Sequence, residues 1–276
     1  MNGQARRRSP QWADWLGGFL LYSLGALSLT ALVVPTLIVV VTSFDTRSFI
    51  GFPPAGFSLD HYAQILRSRA ILQSASISFA VALLTTAIDL VIGVPAAITL
   101  GRGNSPGRTV LISFLLSPIM LPGLVLGIAI LMLYSSLGLR LSVGLLTLAH
   151  VVFTLPFVVR LTLARMEKVD PSLEEAALNL GANQWQVFRH VLLPQLVPGV
   201  AAGAAFAFLN SFDNLTLSLF LAPVRARTLP VELFYRMRFN LDPVVAAVAA
   251  FQFLSAFGVL ALLQRRLGSK DLTLGL

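Results

Sequence analysis

Cysteine is absent from this chain, which excludes disulfides, zinc–thiolate sites, iron–sulfur clusters and thiol catalysis. Histidine is scarce: His61, His150 and His190 stand far apart, with no metal-ligand spacing between them. Lysine occurs only at Lys168 and Lys270, and neither follows a glycine-rich loop of the kind whose backbone amides cradle phosphates. The nearest stretch, "GRGNSPGRT" at 101–109, puts arginine where such a loop needs lysine and spaces its glycines wrongly. Its Gly, Asn, Ser and Pro content reads as a turn. Neither an HExxH helix nor a Ser–His–Asp pattern occurs. The chain therefore has no recognisable catalytic constellation, and whatever it moves uphill must draw on a partner or an ion gradient.

Charge is also sparse. Only 12% of the 276 residues are charged, against about 25% in average soluble proteins. Hydrophobic residues make up 56% and the mean hydropathy is +0.82, so this is a membrane protein. The net charge of +8 reflects basic flanks of apolar helices rather than a nucleic-acid surface, so no nucleic-acid partner is expected.

A helix needs about 20 apolar residues to cross the hydrocarbon core. Uncharged windows lie at 15–44, 70–101 (interrupted by Asp89), 109–139, 141–159, 190–224 (interrupted by Asp213) and 243–264. The expected fold class is all-α: a polytopic membrane protein with six transmembrane helices, its residues 1–276 forming one transmembrane domain in contact with lipid. The first window is far longer than the roughly 7–15-residue core of a signal peptide, so it reads as a retained span, with Arg6 and Arg7 as a topology signal. Six spans place both termini on one side. Twelve Lys and Arg flank that side and eight the other, which favours cytoplasmic termini.

Local signals add detail. In "FSLDHYAQILRS", Leu59, Tyr62, Ile65 and Leu66 recur at helical spacing behind a Ser58 cap, as in a helix lying at the membrane surface. Pro118, Pro122 and Gly123 interrupt the third span and predict a kink. The fifth helix is expected to begin near Pro198 and run to about Leu221. Asp242 and Pro243 read as N-cap and first-turn residues of the sixth. The pairs Gly123/Gly127 and Gly199/Gly203 fit close helix packing.

The segment 166–198 is unlike the rest. In "EEAALNLGANQWQVFRHVLLP", Asp170 and Pro171 start a helix, with Glu174 and Glu175 near its positive end and Gly181 ending it in left-handed geometry. Asn183 caps a second helix with Gln186 as its capping-box partner. Trp185, Phe188, Val191 and Leu192 form its apolar face, and Pro194 ends it. The first helix is short and shows alanines, the shape of a knob for a partner's groove.

Glu175, Ala176, Ala177, Gly181, Val191, Leu193 and Pro194 match, in spacing, the "EAA---G---------I-LP" signature of the membrane subunits of binding-protein-dependent ABC importers, with valine where isoleucine is usual. "SPIMLPGLVLGIAIL", "FTLPFVVR" and "TLPVELFYRMRFNLDPVVAAVAA" are similar to stretches of spermidine/putrescine-type permeases, so the resemblance covers most of residues 58–267.

It implies the type I importer permease (MetI-like) fold and a non-catalytic subunit forming the path for a small solute, with a polyamine or related amine-bearing compound as the expected cargo. The segment would be a cytoplasmic coupling helix that meets the ATPase through Glu174, Glu175, Ala176, Ala177, Gly181, Leu193 and Pro194. The implied partners are two ATPase subunits, which bind ATP and magnesium in place of any cofactor in this chain, a second permease chain of the same or related sequence, and a periplasmic binding protein in front of the bacterial inner membrane.

Ionisable residues inside spans are functional candidates. Asn210, Asp213, Asn214 and Ser218 recur at helical spacing and would present one polar face to the path, its carboxylate suited to an amine. Asp89 fits a structural role, paired with a donor on a neighbouring helix. The competing reading is an ion-coupled secondary transporter that uses Asp213 and Asp89.

Overall fold

The computed structural model describes residues 11–103, 106–240 and 242–267. Arg6, Arg7 and Lys270 lie outside them. Every regular element among the described residues is helical: α1 (Gln11–Thr42), α2 (Asp60–Arg67), α3 (Arg69–Arg102), α4 (Arg108–Leu116), α5 (Gly123–Ser136), α6 (Val143–Met166), α7 (Pro171–Asn179), α8 (Gln184–Val187), α9 (Leu193–Phe212), α10 (Leu215–Leu221), α11 (Leu229–Asn240) and α12 (Val244–Leu267). The chain divides into two compact units, residues 1–65 with 241–254 and residues 66–240 with 255–276.

In the first unit α1 is apolar on all sides and exposes Phe19, Leu21, Tyr22 and Leu32, as a helix meant for lipid or a partner does. The loop after it is held by Asp45, which accepts from Arg47 Nε at 2.8 Å and from the Ala55 N–H at 3.0 Å. Burial opposes ionisation of this carboxyl, but these hydrogen bonds and the Arg47 charge outweigh it and hold it below the usual carboxylate range. Helix α2 begins at Asp60, whose N–H donates to Ser58 Oγ at 3.0 Å, and Leu59 just ahead of it is exposed. The Val244 N–H donates to Asp242 Oδ1 at 3.0 Å, the cap expected for the last helix.

The second unit is organised around α3, α6 and α9, which pack on one another. Small residues permit this. A Cβ on Gly203 would lie 3.0 Å from Val158 Cα, and one on Gly199 2.8 Å from the Leu161 carbonyl oxygen, so α9 meets the backbone of α6 directly. Gly93 on α3 faces Leu155 and Val158 just as closely. Gly123 does not share this role: its nearest neighbour, Thr216, is 3.8 Å away. A second apolar cluster joins Val81, Leu126, Ile130, Leu146, Leu217 and Leu221, seating α5 and α10 beside α3 and α6.

Among the described residues four helices are long and apolar enough to cross a membrane, and a fifth crossing is reached if α4 and α5 count as one span. These two are not kinked but bent by 104°. Pro118 and Pro122 donate no backbone hydrogen bond, so α4 tightens into a 3₁₀ turn at Ser117–Met120 and the chain turns extended at Leu121 before α5 starts. The described apolar part of the sixth expected helix, Val244–Gly258, is shorter than a full crossing.

The fifth span departs furthest from expectation. Pro194 does not end the helix beginning at Gln184, and no new helix starts at Pro198. Residues Phe188–Leu192 form one π-helical turn, with the Leu193 N–H bonded to the Phe188 carbonyl, and α9 continues from it with both prolines inside. The wider turn makes room for the Pro194 ring, and Gln195 Nε2 donates to the Val191 carbonyl at 2.8 Å. The inserted residue also shifts the helix phase. Val187, Leu192 and Leu196 are the buried positions, while Trp185, expected on that face, is exposed. At the other end the helix stops at Phe212, well before Leu221, and restarts as α10.

Candidate functional site

Two places carry the expected functional residues, both in the second unit. The first is the segment around α7. Asp170 is extended and its side chain accepts from the Ser172 N–H at 2.9 Å, with Pro171 in the first turn behind it. The Ser172 hydrogen bonds and the Arg102 charge hold the Asp170 carboxyl below its ordinary range, against a small opposing effect of burial.

At the other end Gly181 has φ +90. Its N–H donates to the Leu178 carbonyl at 2.9 Å, and the Ala182 N–H donates to the Ala177 carbonyl at 3.1 Å. This paired closure is a Schellman motif, which requires the left-handed residue that glycine supplies cheaply. Asn183 and Gln186 then form the reciprocal capping box, at 2.9 and 2.8 Å.

The surface this creates is apolar where α7 meets the open. Glu175 and Ala176 are exposed, Ala177 is half-buried, and Leu180 at the helix end is 89% exposed. Leu173, Leu178 and Trp185 are exposed around it. Glu174 turns the other way and pairs with Arg102 at the end of α3. Leu193 is half-buried and Pro194 exposed, both beyond the π-helical turn rather than on α7.

The second place is the break between α9 and α10. Asp213 is the C-cap of α9, and Asn214, in extended conformation, caps α10 by accepting from the Leu217 N–H at 2.9 Å. A cavity of about 370 Å³ opens there, lined by Phe153, Leu209, Asn210, Asp213, Asn214, Leu215 and Thr216. Three of the four expected path residues thus come together, though through a helix break rather than one helical face. Ser218 does not join them: with the chain re-capped at Asn214 it turns inward and is buried. Among the described residues nothing bonds the Asp213 carboxylate, and it is the only charged group lining the cavity.

What holds the break is a residue the sequence offered only as a failed metal ligand. His150, fully buried on α6, places Nδ1 2.8 Å from Ser211 Oγ on α9 and Nε2 3.3 Å from Ser218 Oγ on α10. One imidazole therefore grips both helices on either side of the break. A histidine in an apolar span was itself the available signal.

The network extends through Thr154, whose Oγ1 lies 2.8 Å from the His150 carbonyl oxygen and 2.5 Å from Asp89 Oδ2. Asp89 is buried between α3 and α6 and does not line the cavity, so the two carboxylates of the ion-coupled reading share no site.

Residues 93–270 match the family described as the binding-protein-dependent transport system inner membrane component. The chain is 30% identical to the spermidine/putrescine transport system permease protein PotC of Escherichia coli (strain K12) over 214 residues, 78% of this chain and 81% of that protein. It is 30% identical to the putrescine transport system permease protein PotI of the same organism over 226 residues, 79% of this chain and 80% of that one. In fold it is similar to a chain of a bacterial ABC transporter involved in the import of the acidic polysaccharide alginate, with a TM-score of 0.70, 16% identity, and coverage of 96% of this chain and 99% of that chain.

Proposed function

This chain belongs to the family of binding-protein-dependent transport system inner membrane components, and on that premise we propose that the solute it passes is a polyamine or related amine-bearing compound. The chain is the non-catalytic permease subunit of an ABC importer. The observation that carries the amine reading is Asp213, a carboxylate without a partner among the described residues, in a cavity whose other polar lining, Asn210, Asn214 and Thr216, is neutral. An ammonium group 4 Å from it would gain about 1 kcal/mol in bulk water and about 4 kcal/mol at an effective dielectric of 20. The curated relatives' names, spermidine/putrescine and putrescine permeases, point to the same chemistry.

In this reading α7 is the coupling helix, on the cytoplasmic side with both termini. Glu175, Ala176, Ala177 and the exposed Leu173 and Leu180 meet a groove of the ATPase, because an apolar cluster this open marks a docking surface. Two ATPase subunits hold the ATP and magnesium, a second permease chain completes the path, and a periplasmic binding protein delivers the solute. Closure of the ATPases drives α7, and the continuous helix through Phe188–Leu192 carries the movement into α9 and its cavity.

The test is uptake by proteoliposomes containing the whole importer with its binding protein. Labelled putrescine and spermidine should be taken up only with ATP inside, and Asp213→Asn should raise the concentration needed for half-maximal uptake. Uptake of an anion in preference to either amine, with Asp213→Asn silent, would refute the amine reading. Uptake without the ATPase would refute the importer mechanism.

A further inference from the structure

Helix α7 buries none of its own residues, so apolar packing does not fix its orientation on the rest of the chain. Its covalent link runs forward, through Gly181 and α8 into α9. Backward, it follows a short turn after α6. A third connection comes from α3, whose last residue reaches α7 across 72 positions of sequence.

Arg102 pairs with the Glu174 carboxylate, and its second terminal nitrogen donates to the Val169 carbonyl at 3.4 Å, just ahead of the Asp170 cap. Both side chains are about a quarter exposed, so the pair is partly shielded from water and salt. Arginine suits the task because its planar fork can hold a carboxylate and a backbone carbonyl at once.

The anchor end is rigid. A Cβ on Gly101 would lie 2.4 Å from Met166 Cγ, so the end of α3 is seated tightly against the end of α6. Its chain exit is tied as well: Arg108 Nε donates to the Leu100 carbonyl, and the Gly103 N–H donates to the Thr99 carbonyl at 3.0 Å. A rotation of α7 that keeps the Arg102–Glu174 pair must therefore carry the end of α3 with it. Helix α3 in turn packs along α6 and α9, the helices that hold the cavity.

We propose that Arg102 is a positioning residue for coupling: through Glu174 it ties α7 to α3, so that movement imposed on α7 reaches the path through α3 as well as through α9. This rests on the permease reading above. It also divides the two acids of the segment. Glu175 faces outward toward a partner, whereas Glu174 acts inside this chain.

The experiment uses the complete importer in proteoliposomes and reads solute moved per ATP hydrolysed, alongside co-purification of the ATPase, KM for ATP and the melting temperature of the complex. Arg102→Ala and Glu174→Ala should each lower solute moved per ATP by about two- to fivefold, the range expected for losing a partly exposed ion pair. ATPase co-purification and KM for ATP should stay as in the wild type. The double variant should be no worse than either single one, because the two residues act as one unit. The reversed pair Arg102→Glu with Glu174→Arg should recover part of the loss, since the ion pair returns without the Val169 hydrogen bond, a rescue that distinguishes the tether from a general packing defect.

A Glu174→Ala defect not reproduced by Arg102→Ala would overturn the proposal, since Glu174 would then act on the ATPase directly. Additive losses, or a reversed pair no better than the single variants, would overturn it too. Wild-type complex lacking ATP-dependent uptake would refute the permease reading instead, so the two failures are separable.

Discussion

Substituting Gly181 separates backbone conformation from packing, because the two are cleanly divided at this position. Its φ is +90, and a Cβ built there would meet nothing within 4 Å. Any cost of adding a side chain is therefore conformational, about 1–2 kcal/mol for an ordinary L-residue forced into left-handed geometry. If the turn relaxes to escape that cost, the Leu178 and Ala177 carbonyls lose their bonds from Gly181 and Ala182, each worth about 1 kcal/mol net. A penalty of 1–2 kcal/mol shifts the population of the native turn roughly 5- to 30-fold.

The series should rank by backbone tolerance and not by size: Gly181→Asn mildest, Gly181→Ala intermediate, Gly181→Val most severe, because β-branching crowds left-handed geometry further. The assay is solute moved per ATP hydrolysed in proteoliposomes, with membrane insertion and yield as controls. Coupling should fall along the series while insertion holds. Wild-type coupling in Gly181→Val would refute the reasoning, and so would an asparagine variant as impaired as the valine one.

Gly203→Ala brings a methyl group to 3.0 Å from Val158 Cα, which is backbone and cannot rotate away, so the complex should lose about 1–3 kcal/mol, read as a lowered melting temperature in detergent. Unchanged melting would show that α9 can shift on α6 freely. His150→Ala leaves the buried Ser211 and Ser218 hydroxyls without their imidazole, at about 1–3 kcal/mol for each one left unpaired, and should weaken solute affinity by loosening the break that lines the cavity. Normal uptake kinetics with only lower stability would reduce His150 to packing.

Because the Asp170 carboxyl is held below its ordinary range, its cap contributes above about pH 4, the unfolded carboxylate value, and is lost as pH falls through the lower folded value. Amide exchange at Ser172 in the detergent-solubilised complex should therefore show protection falling, relative to intrinsic exchange, on going from pH 6 to pH 3. Asp170→Asn should flatten that dependence, and an unaltered profile in the variant would refute it.

Membrane class, the path of the chain through α7 and the caps on either side of Gly181 were all legible before any coordinates, because each depends on contiguous residues. Asp170 with Pro171 starts a helix, glycine ends it, and Asn183 with Gln186 closes a box three residues long. These signals are read within one or two helical turns, and tertiary packing left them as they stood. The family signature belongs to the same level, since its seven positions fall within 175–194.

Prolines proved less decisive than their local rule implies. Pro194 and Pro198 disrupt an ideal α-helix, yet one π-helical turn absorbs the first, and the helix stays continuous from Gln184 to Phe212. Of the expected apolar face Leu192 is buried and Trp185 is not; Val187 is buried instead, five residues from Leu192 across the π-helical turn, a spacing that a strict 3.6-residue period does not anticipate.

By itself, then, the sequence determined that this is an apolar, all-helical permease subunit, with a short helical segment between α6 and α9 whose ends are written in its own caps. Tertiary structure alone decided which residues of separate helices come together. The break at Asp213, the cavity beside it, the His150 grip on Ser211 and Ser218 and the Arg102–Glu174 tether all join residues from separate helices, the last two across 61 to 72 positions. No period or motif encodes such pairs, because they exist only once Gly199 and Gly203 let α9 close onto the backbone of α6 and Gly93 lets α3 seat against the Leu155 and Val158 side chains.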